Sequence, residues 1–210
     1  MLIFQRSLTL QGPPAEVGAW AVEITAIVNK RTDLDVSLWQ GMFGVPLGSF
    51  GWTTQLPGLT ALEASNNHLM GDSEYLSKLA EARDWVTSPG EDSLVRIAHV
   101  AGEYTRPEVG AYAETTVASP AAGHIAEAHA WGIAITDQGS QATNATAMFG
   151  ANSFGDFGQL VWFTLFNSAA DVDSAEEILG KDESYLSSID GAGELFQPGS
   201  ARRMLARRIA

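Results

Sequence analysis

The chain has 210 residues, no cysteine, a hydrophobic content of 45% and a formal net charge of −13 at pH 7. This length and hydrophobic content suffice for a sizeable core and argue against long disordered segments. The lack of thiols excludes disulfides, thiolate metal sites and cysteine nucleophiles, and the negative charge opposes binding to nucleic acid phosphates.

The amino-terminal segment predicts a half-buried strand, because large side chains alternate with polar ones at Phe4, Arg6, Leu8 and Leu10. Gly12-Pro13-Pro14 ends this strand. Its apolar start is too short for a signal peptide or a membrane span. We therefore expect a cytoplasmic protein without a membrane span.

The rest of the first half predicts one helix, a hairpin, a second helix and a last strand. Apolar residues recur at helical spacing from Val17 to Val28, and strands follow at about 35 to 43 and 51 to 56. A second helix is expected at about 59 to 86, broken near Gly71-Asp72, before a strand from Ser93 to Ala101.

The second half repeats this order, with strands near 109 to 118, 143 to 150, 159 to 166 and 200 to 209. The segment Gln40-Gly41-Met42-Phe43-Gly44 matches Thr146-Ala147-Met148-Phe149-Gly150, and Trp52 matches Trp162. After each Trp, an acidic segment ends in Tyr75 or Tyr185. We therefore expect two repeats, at residues 1–105 and 106–210.

Two β-α-β units per repeat define an α+β fold, the ferredoxin-like βαββαβ unit with both helices on one face of a four-stranded antiparallel sheet. The other face of each sheet needs a cover, and the sister sheet is the simplest one. The sequence thus predicts two sheets packed face to face as a pseudo-dimeric barrel with the helices outside.

Both repeats resemble the NIPSNAP-type branch of the dimeric α/β barrel superfamily. The resemblance is carried by the run Phe4 to Gly12, by Gly51-Trp52 and Asp72-Ser73-Glu74-Tyr75, and in the second repeat by Phe157 to Trp162 and Lys181 to Tyr185. Glu114 stands where this pattern has an Arg matching Arg6, and Tyr75 and Tyr185 stand where it often has Trp. The resemblance implies the fold. It selects no activity, because the superfamily includes cofactor-free monooxygenases, polyketide cyclases and haem-using enzymes.

Arg6 and Glu114 are the charged residues that the sequence most clearly indicates as a pair in a polar site. Arg6 shares the apolar face of its strand, so its guanidinium is expected to point inward, and Glu114 beside Tyr112 is expected opposite it. Such a pair could orient a polar ligand, or it could be an interior salt bridge that only fixes how the repeats align.

His99 could reach the space between the sheets as a general base or a haem ligand, although a structural histidine is the commoner case. His124 and His129 lie five residues apart, a spacing that does not place two ligands on one face of a helix. We therefore predict no metal site, no required cofactor and haem only as a minor alternative.

Trp39, Trp52 and Trp162 could line an apolar pocket or fill it. Our first hypothesis is a small-molecule-binding protein that holds an apolar or aromatic ligand between the sheets, either as a binding protein or as an enzyme without a cofactor. The alternatives are an assembly protein with a filled barrel, and a haem-binding protein. In each case we expect a homo-oligomer that binds no nucleic acid, and no catalytic residue can be assigned.

Overall fold

The computed structural model describes residues 1–87 and 89–210. The first half contains β1 (Leu2–Thr9), α1 (Pro14–Arg31), β2 (Ser37–Phe43), β3 (Ser49–Leu56), α2 (Leu59–Met70), α3 (Ser73–Glu81) and β4 (Glu91–Ala101). The second half contains β5 (Tyr112–Ala118), α4 (Ile125–Thr143), β6 (Thr146–Phe154), β7 (Leu160–Phe166), α5 (Ala169–Leu179), α6 (Glu183–Asp190) and β8 (Arg202–Arg208). A short 3-10 turn precedes β4 and another precedes β8.

The predicted helix break lies where α2 ends at Met70 and α3 begins at Ser73. The carboxylate of Asp72 accepts a hydrogen bond from the backbone N–H of Tyr75, which caps the new helix. Asp182 caps α6 in the same way through Tyr185. The two halves therefore use the same local device to turn the chain between their second and third helices.

The eight strands form one closed antiparallel barrel in the order β1-β3-β2-β8-β5-β7-β6-β4. Each half supplies four neighbouring strands, and the pairs β2–β8 and β4–β6 join the halves. This confirms the predicted fold of two ferredoxin-like units in a pseudo-dimeric barrel. The carboxy-terminal strand β8, which is rich in Arg, pairs with β2 on one side and with β5 on the other.

The helices pack on the outside of the barrel through two matching aromatic clusters. In the first half Trp20 contacts Trp52 and Trp85 edge to face, with ring centroids 6.4 and 6.3 Å apart. In the second half Trp131 contacts Trp162 and Phe196 in the same manner. These rings anchor α1 and α4 to the sheets, because buried aromatic pairs combine large apolar area with directional contacts.

Side chains of the opposite strand faces point into the barrel. One part of this interior is filled by an inner apolar cluster that includes Ile3, Val95, Met148, Val161 and Phe163. The cluster is contributed mainly by β4, β6 and β7, so the barrel is packed on that side. None of the helices among the described residues is both long and apolar enough to cross a membrane.

Candidate functional site

A cavity of about 970 Å³ runs inside the barrel, beside the inner apolar cluster. Its volume lies at the upper end of the range in which small-molecule sites bury drug-sized ligands. The barrel is thus neither empty nor filled, and the hypothesis of a completely filled barrel is wrong.

The wall supplied by the first repeat is mainly polar, and between its charged ends it is uncharged. It carries Gln5 on β1, Ser37 and Trp39 on β2, Thr53 on β3 and Ser93 on β4. The indole Nε1 of Trp39 donates to Thr53 Oγ1 at 2.8 Å, and Ser93 Oγ donates to Gln5 Oε1 at 3.3 Å. These bonds hold the wall in place and leave hydrogen-bonding capacity free, since neither the Gln5 amide nitrogen nor the Ser37 hydroxyl has a partner among the described residues.

The wall supplied by the second repeat is mainly apolar. Its side chains come from β5, β6, β7 and β8 and include Ala113, Val117, Met148, Val161, Phe163, Leu165, Met204 and Ala206. Ala113 lies opposite Ala206 in the β5–β8 pairing, so two small side chains meet where the cavity passes that seam. A flat apolar molecule could therefore lie against one wall and present polar substituents to the other.

The segment that links the repeats lies across one end of the barrel. Tyr104 packs on the inner apolar cluster, and Arg106 forms an ion pair with Asp35 at 2.6 Å. Arg208, which is only 6% exposed, donates to the carbonyl oxygens of Pro107 and Ala210. Burial, together with the nearby Arg106, lowers the pKa of Arg208. Tyr104, Arg106 and Pro107 all line the cavity, so this segment forms part of its wall at that end.

The charged groups that line the cavity lie near the two ends of the strands. Asp35 and Arg106 lie at the end closed by the linking segment. Glu91, Asp156 and Arg202, together with the ion-paired residues Arg6 and Asp92, lie toward the opposite end. The middle of the cavity is lined by neutral groups only. The interior is therefore suited to bind and orient a neutral molecule, and proton transfer at neutral pH would have to involve an end of the cavity.

Arg6 and Glu114 do not form the predicted pair. Arg6 binds Asp92 with two hydrogen bonds of 2.8 and 2.7 Å, whereas Glu114 binds Arg203, which also contacts Glu176. The hydrogen bonds to Glu114 and Glu176 raise the pKa of Arg203. Both ion-pair groups lie on the helix side of their strands, so the expectation that Arg6 points into the barrel was wrong.

The physical reason is that both faces of these strands are covered. Phe4 packs with Leu62 of α2 in an outer apolar cluster, so the apolar face of β1 is buried by helices. The polar face of β1, with Gln5 and Ser7, lines the cavity.

The structural equivalent of Arg6 is Thr116, two residues beyond Glu114. Arg6 pairs with Trp52 across β1–β3, and Thr116 pairs with Trp162 across β5–β7. The sequence match that equated Glu114 with Arg6 was therefore wrong by two residues. Because side chains alternate between the two faces of a strand, Glu114 still lies on the same face as Thr116.

Trp39 is the one predicted aromatic wall residue whose ring lies inside the barrel. The Trp52 indole donates to Thr25 Oγ1 of α1 at 2.8 Å, and the Trp162 indole donates to the Gly132 carbonyl of α4 at 3.2 Å. Tyr112 alternates with cavity-lining Ala113 on β5 and so also lies on the helix side. Trp52, Trp162 and Tyr112 therefore build the outer layer.

His99 also lies outside the barrel, so the alternative in which it reaches the space between the sheets is wrong, and the commoner case of a structural histidine holds. The β4–β6 register shifts between Ile97 and His99, which inserts one extra residue and turns His99 to the other face. There its Nε2 lies 2.6 Å from Asp137 Oδ1 of α4. The alternation from Val95 and Ile97 predicted the face correctly up to this bulge.

The cavity lining does not fit haem held by a histidine. A proximal His is the commonest protein ligand of haem iron, and none of the four histidines, all within the described residues, lines the cavity. His124 contacts Glu127, and His129 on α4 contacts the ring of Phe149 edge to face. Among residues 1–87 and 89–210, no group of three or more His, Asp or Glu side chains is placed to hold a metal ion.

The sequence reasoning named none of the hydroxyl and amide side chains that line the cavity, and Gln5 and Asn152 are two examples. Gln5 was assigned to the exposed face of β1, and Asn152 was assigned to a flexible hairpin. One feature of the sequence could have placed Gln5 in the cavity, namely that the opposite face of its strand is apolar and can be covered by helices. No feature of the sequence indicated Asn152, because β6 continues to Phe154, beyond the predicted end near residue 150.

No protein-family model matches the chain, and no curated protein matches it in sequence. Solved structures do share its fold. A candidate monooxygenase from Fusobacterium nucleatum is 6% identical with a TM-score of 0.76, and the match covers 100% of this chain and 92% of that one. An anthrone oxidase-like protein is 14% identical with a TM-score of 0.69, with coverages of 100% and 91%. A haem-degrading enzyme from Listeria monocytogenes is 8% identical with a TM-score of 0.54, with coverages of 99% and 99%.

At these identities the likeness concerns the fold alone, and it agrees with the strand order and the repeat described above. The chain therefore has the dimeric α+β barrel fold, with both halves of the barrel supplied by one polypeptide.

Proposed function

We propose that the protein binds a small, largely aromatic molecule inside its barrel. The observation that carries this proposal is the division of the cavity into a neutral polar wall from the first repeat and an apolar wall from the second. Small-molecule sites have this character, with mostly apolar surroundings and a few placed polar groups. Trp39 is 7% exposed and offers an aromatic face on the polar side.

A blocking substitution tests the proposal. Ala113→Phe adds an aromatic ring to the cavity wall, and Ala170→Phe adds the same ring to the exposed first turn of α5 as a control. Anthrone serves as the probe, because it is a flat tricyclic molecule with one carbonyl group. Isothermal titration should show anthrone binding to the wild type and to the Ala170 variant, and a loss of at least tenfold in affinity for the Ala113 variant.

Two results would contradict the proposal. One is that anthrone does not bind to the wild type, and the other is that Ala113→Phe binds anthrone as the wild type does while its melting temperature is unchanged. A melting temperature measured for each variant separates a blocked cavity from a damaged fold.

We further propose that the bound molecule is oxidised without a cofactor. This is supported by the candidate monooxygenase and the anthrone oxidase-like protein that share the fold. Oxidation of anthrone by one O₂ gives anthraquinone and one water, so oxygen uptake reports the reaction directly. Uptake should depend on the enzyme and should fall in Ala113→Phe. Binding of anthrone without any uptake would leave the protein as a binding protein.

Assembly into a homo-oligomer stays a prediction, and one observation supports it. The matching helices α3 and α6 expose apolar side chains at equivalent positions, namely Leu76, Leu79, Leu186 and Ile189. Native mass spectrometry would report the subunit number. Assignment to the NIPSNAP-type branch likewise stays a prediction from the sequence resemblance.

A further inference from the structure

A row of four uncharged polar side chains crosses the inner face of the first sheet, with one residue from each strand. Gln5 on β1 lies opposite Thr53 on β3 and opposite Ser93 on β4. Thr53 in turn lies opposite Ser37 on β2. All four residues line the cavity, and we call them the polar row.

The second repeat carries a mainly apolar row at the equivalent level. Because Arg6 and Thr116 are equivalent, the counterpart of Gln5 is Thr115. The strand pairings that lead from Thr115 across the sheet give the other members, which also line the cavity and are Met204, Phe163 and Met148. β1 and β5 lie four strands apart in the closed order, so the two rows lie on opposite sides of the barrel. A ligand between the rows therefore meets polar groups on one side and apolar side chains on the other.

The hydrogen bonds of the polar row occupy its oxygen atoms and leave hydrogen atoms free to donate. The indole Nε1–H of Trp39 can only donate, so Thr53 Oγ1, at 2.8 Å, must accept. The hydroxyl hydrogen of Thr53 then has no acceptor among the described residues. Gln5 Oε1 accepts from Ser93 Oγ at 3.3 Å. Because the amide carries two N–H bonds, Gln5 keeps a free donor whichever of its ends faces Ser93.

The free donor of Gln5 is open to the cavity. Gln5 Nε2 has no hydrogen-bond partner among the described residues, yet it does not belong to the partnerless side-chain atoms that are closed to water. The same is true of the Ser37 hydroxyl, although Ser37 is only 6% exposed. Asn152 Oδ1 differs, because it lacks a donor among the described residues and is closed to water. A ligand in the cavity can therefore reach Gln5 but not Asn152 Oδ1.

We infer that Gln5 and Thr53 are specificity-determining residues that select a ligand carrying a carbonyl group, whose oxygen accepts from both. The inference rests on the proposed function and adds the chemical class of the ligand. Directly opposed side chains on neighbouring antiparallel strands have Cβ atoms about 4.5–5.5 Å apart, so the two donors can meet on one oxygen. A carbonyl oxygen has two lone pairs and therefore matches two donors.

The surroundings of these donors favour a neutral carbonyl over a carboxylate. No member of the polar row is charged, and an ionised carboxylate is costly to bury beside neutral groups alone. Trp39 acts as a positioning residue, because its bond to Thr53 directs the hydroxyl hydrogen of Thr53 away from the indole. The aromatic part of the ligand would lie against Phe163 in the opposite row.

The test compares 9-fluorenone with fluorene, two flat tricyclic molecules that differ by a carbonyl oxygen in place of two hydrogen atoms. Equilibrium dialysis measures the affinity of each. Fluorene would leave the donors of Gln5 and Thr53 without a partner and shielded from water. The wild type should therefore bind 9-fluorenone about tenfold more tightly than fluorene.

Two substitutions remove one donor each. Gln5→Met has a similar length and no donor, so the preference for 9-fluorenone should fall by about threefold or more. Gln141→Met makes the same change on the exposed face of α4 and should keep the wild-type preference. Thr53→Val should lose more of the preference than Thr53→Ser, which retains the hydroxyl. The ratio of the two affinities is a readout that a damaged fold would not move, because damage weakens the binding of both probes alike.

Equal affinity of the wild type for the two probes would overturn the inference, and so would a preference that survives Gln5→Met or Thr53→Val. Binding of anthrone without any binding of 9-fluorenone would overturn it as well. These results leave the proposed function intact, because an aromatic molecule still binds. Failure of 9-fluorenone, fluorene and anthrone alike would instead reject the proposed function.

Discussion

His99 and Asp137 form a contact between β4 and α4, with Nε2 of the imidazole 2.6 Å from the Asp137 carboxylate, on the outer face of the barrel. The contact shows how one extra residue in a strand can move a candidate ligand from the cavity to the surface layer. It also determines what haem titration should show.

We expect His99→Ala to leave any haem binding unchanged, because the ring lies behind the sheet with 29% of its side chain exposed. The absorbance spectrum of haem mixed with wild type, with the His99 variant and with a His124→Ala control should be the same. A Soret band formed by the wild type and lost only in the His99 variant would contradict this placement.

Arg6→Met should leave ligand affinity unchanged and lower the free energy of unfolding by no more than about 1 kcal/mol, as for other exposed ion pairs. The reason is that the Arg6 side chain turns to the helix side of β1, where it binds Asp92, and that nearly half of each side chain is exposed. Urea denaturation and the anthrone titration measure the two effects separately. A large loss of anthrone affinity with unchanged stability would contradict this and show that Arg6 takes part in binding.

Two glycines in α4 should respond to alanine with opposite signs. A Cβ on Gly132 would lie 2.4 Å from a ring carbon of Phe149, whereas the nearest atom to a Cβ on Gly139 is 3.8 Å away, on Tyr185. Gly132→Ala should therefore cost about 1–3 kcal/mol through overpacking. Gly139→Ala should stabilise the helix by about 0.5–1 kcal/mol. The melting temperatures of the two variants test this prediction. Equal changes in melting temperature would contradict the close packing of α4 on Phe149.

Asp72 should contribute stability that depends on pH. Its hydrogen bond from the Tyr75 N–H, with the charge of Arg31, lowers the pKa of Asp72. A carboxyl group with a lowered pKa stabilises the fold above its unfolded pKa of about 3.9, and this contribution disappears as the pH falls through the folded pKa.

Asp72→Asn keeps the cap but loses the ion pair to Arg31, whose Nε lies 3.0 Å from the carboxylate. Asp182→Asn is the matched control, because Asp182 caps α6 in the same way through Tyr185. In urea denaturation at pH 7 the Asp72 variant should be the less stable of the two, and the gap should close as the pH falls below about 4, the unfolded pKa of an Asp carboxyl. A gap that stays constant over this range would exclude the carboxylate as its cause.

Local patterns in the sequence predicted the fold well. The repeat of Trp52 and Trp162, and the Gly71-Asp72 break, located the main elements because turns and helix starts depend on nearby residues. The prediction of a pseudo-dimeric barrel followed from pairing two units that each leave one sheet face uncovered.

The position of the site was harder to predict, because the sequence does not say which of two buried strand faces meets helices. On β1 the apolar residues Phe4 and Leu8 pack outward, and the polar residues Gln5 and Ser7 line the cavity. The alternation of polar and apolar residues on β1 is typical of a strand with one face in solvent. Here the polar face lines the cavity instead. The bulge before His99 and the orphan acceptor of Asn152 depend on contacts between strands far apart in the chain.

The closure of the barrel has a consequence for what half of this protein could do alone. β2 and β4 form the two margins of the first four-stranded sheet, and both are bonded to strands of the other half. A fragment of residues 1–105 would expose backbone amides and carbonyls along both margins, as would a fragment of residues 106–210. Unpaired strand edges form hydrogen bonds with other strands. The separated halves would therefore associate with each other or aggregate.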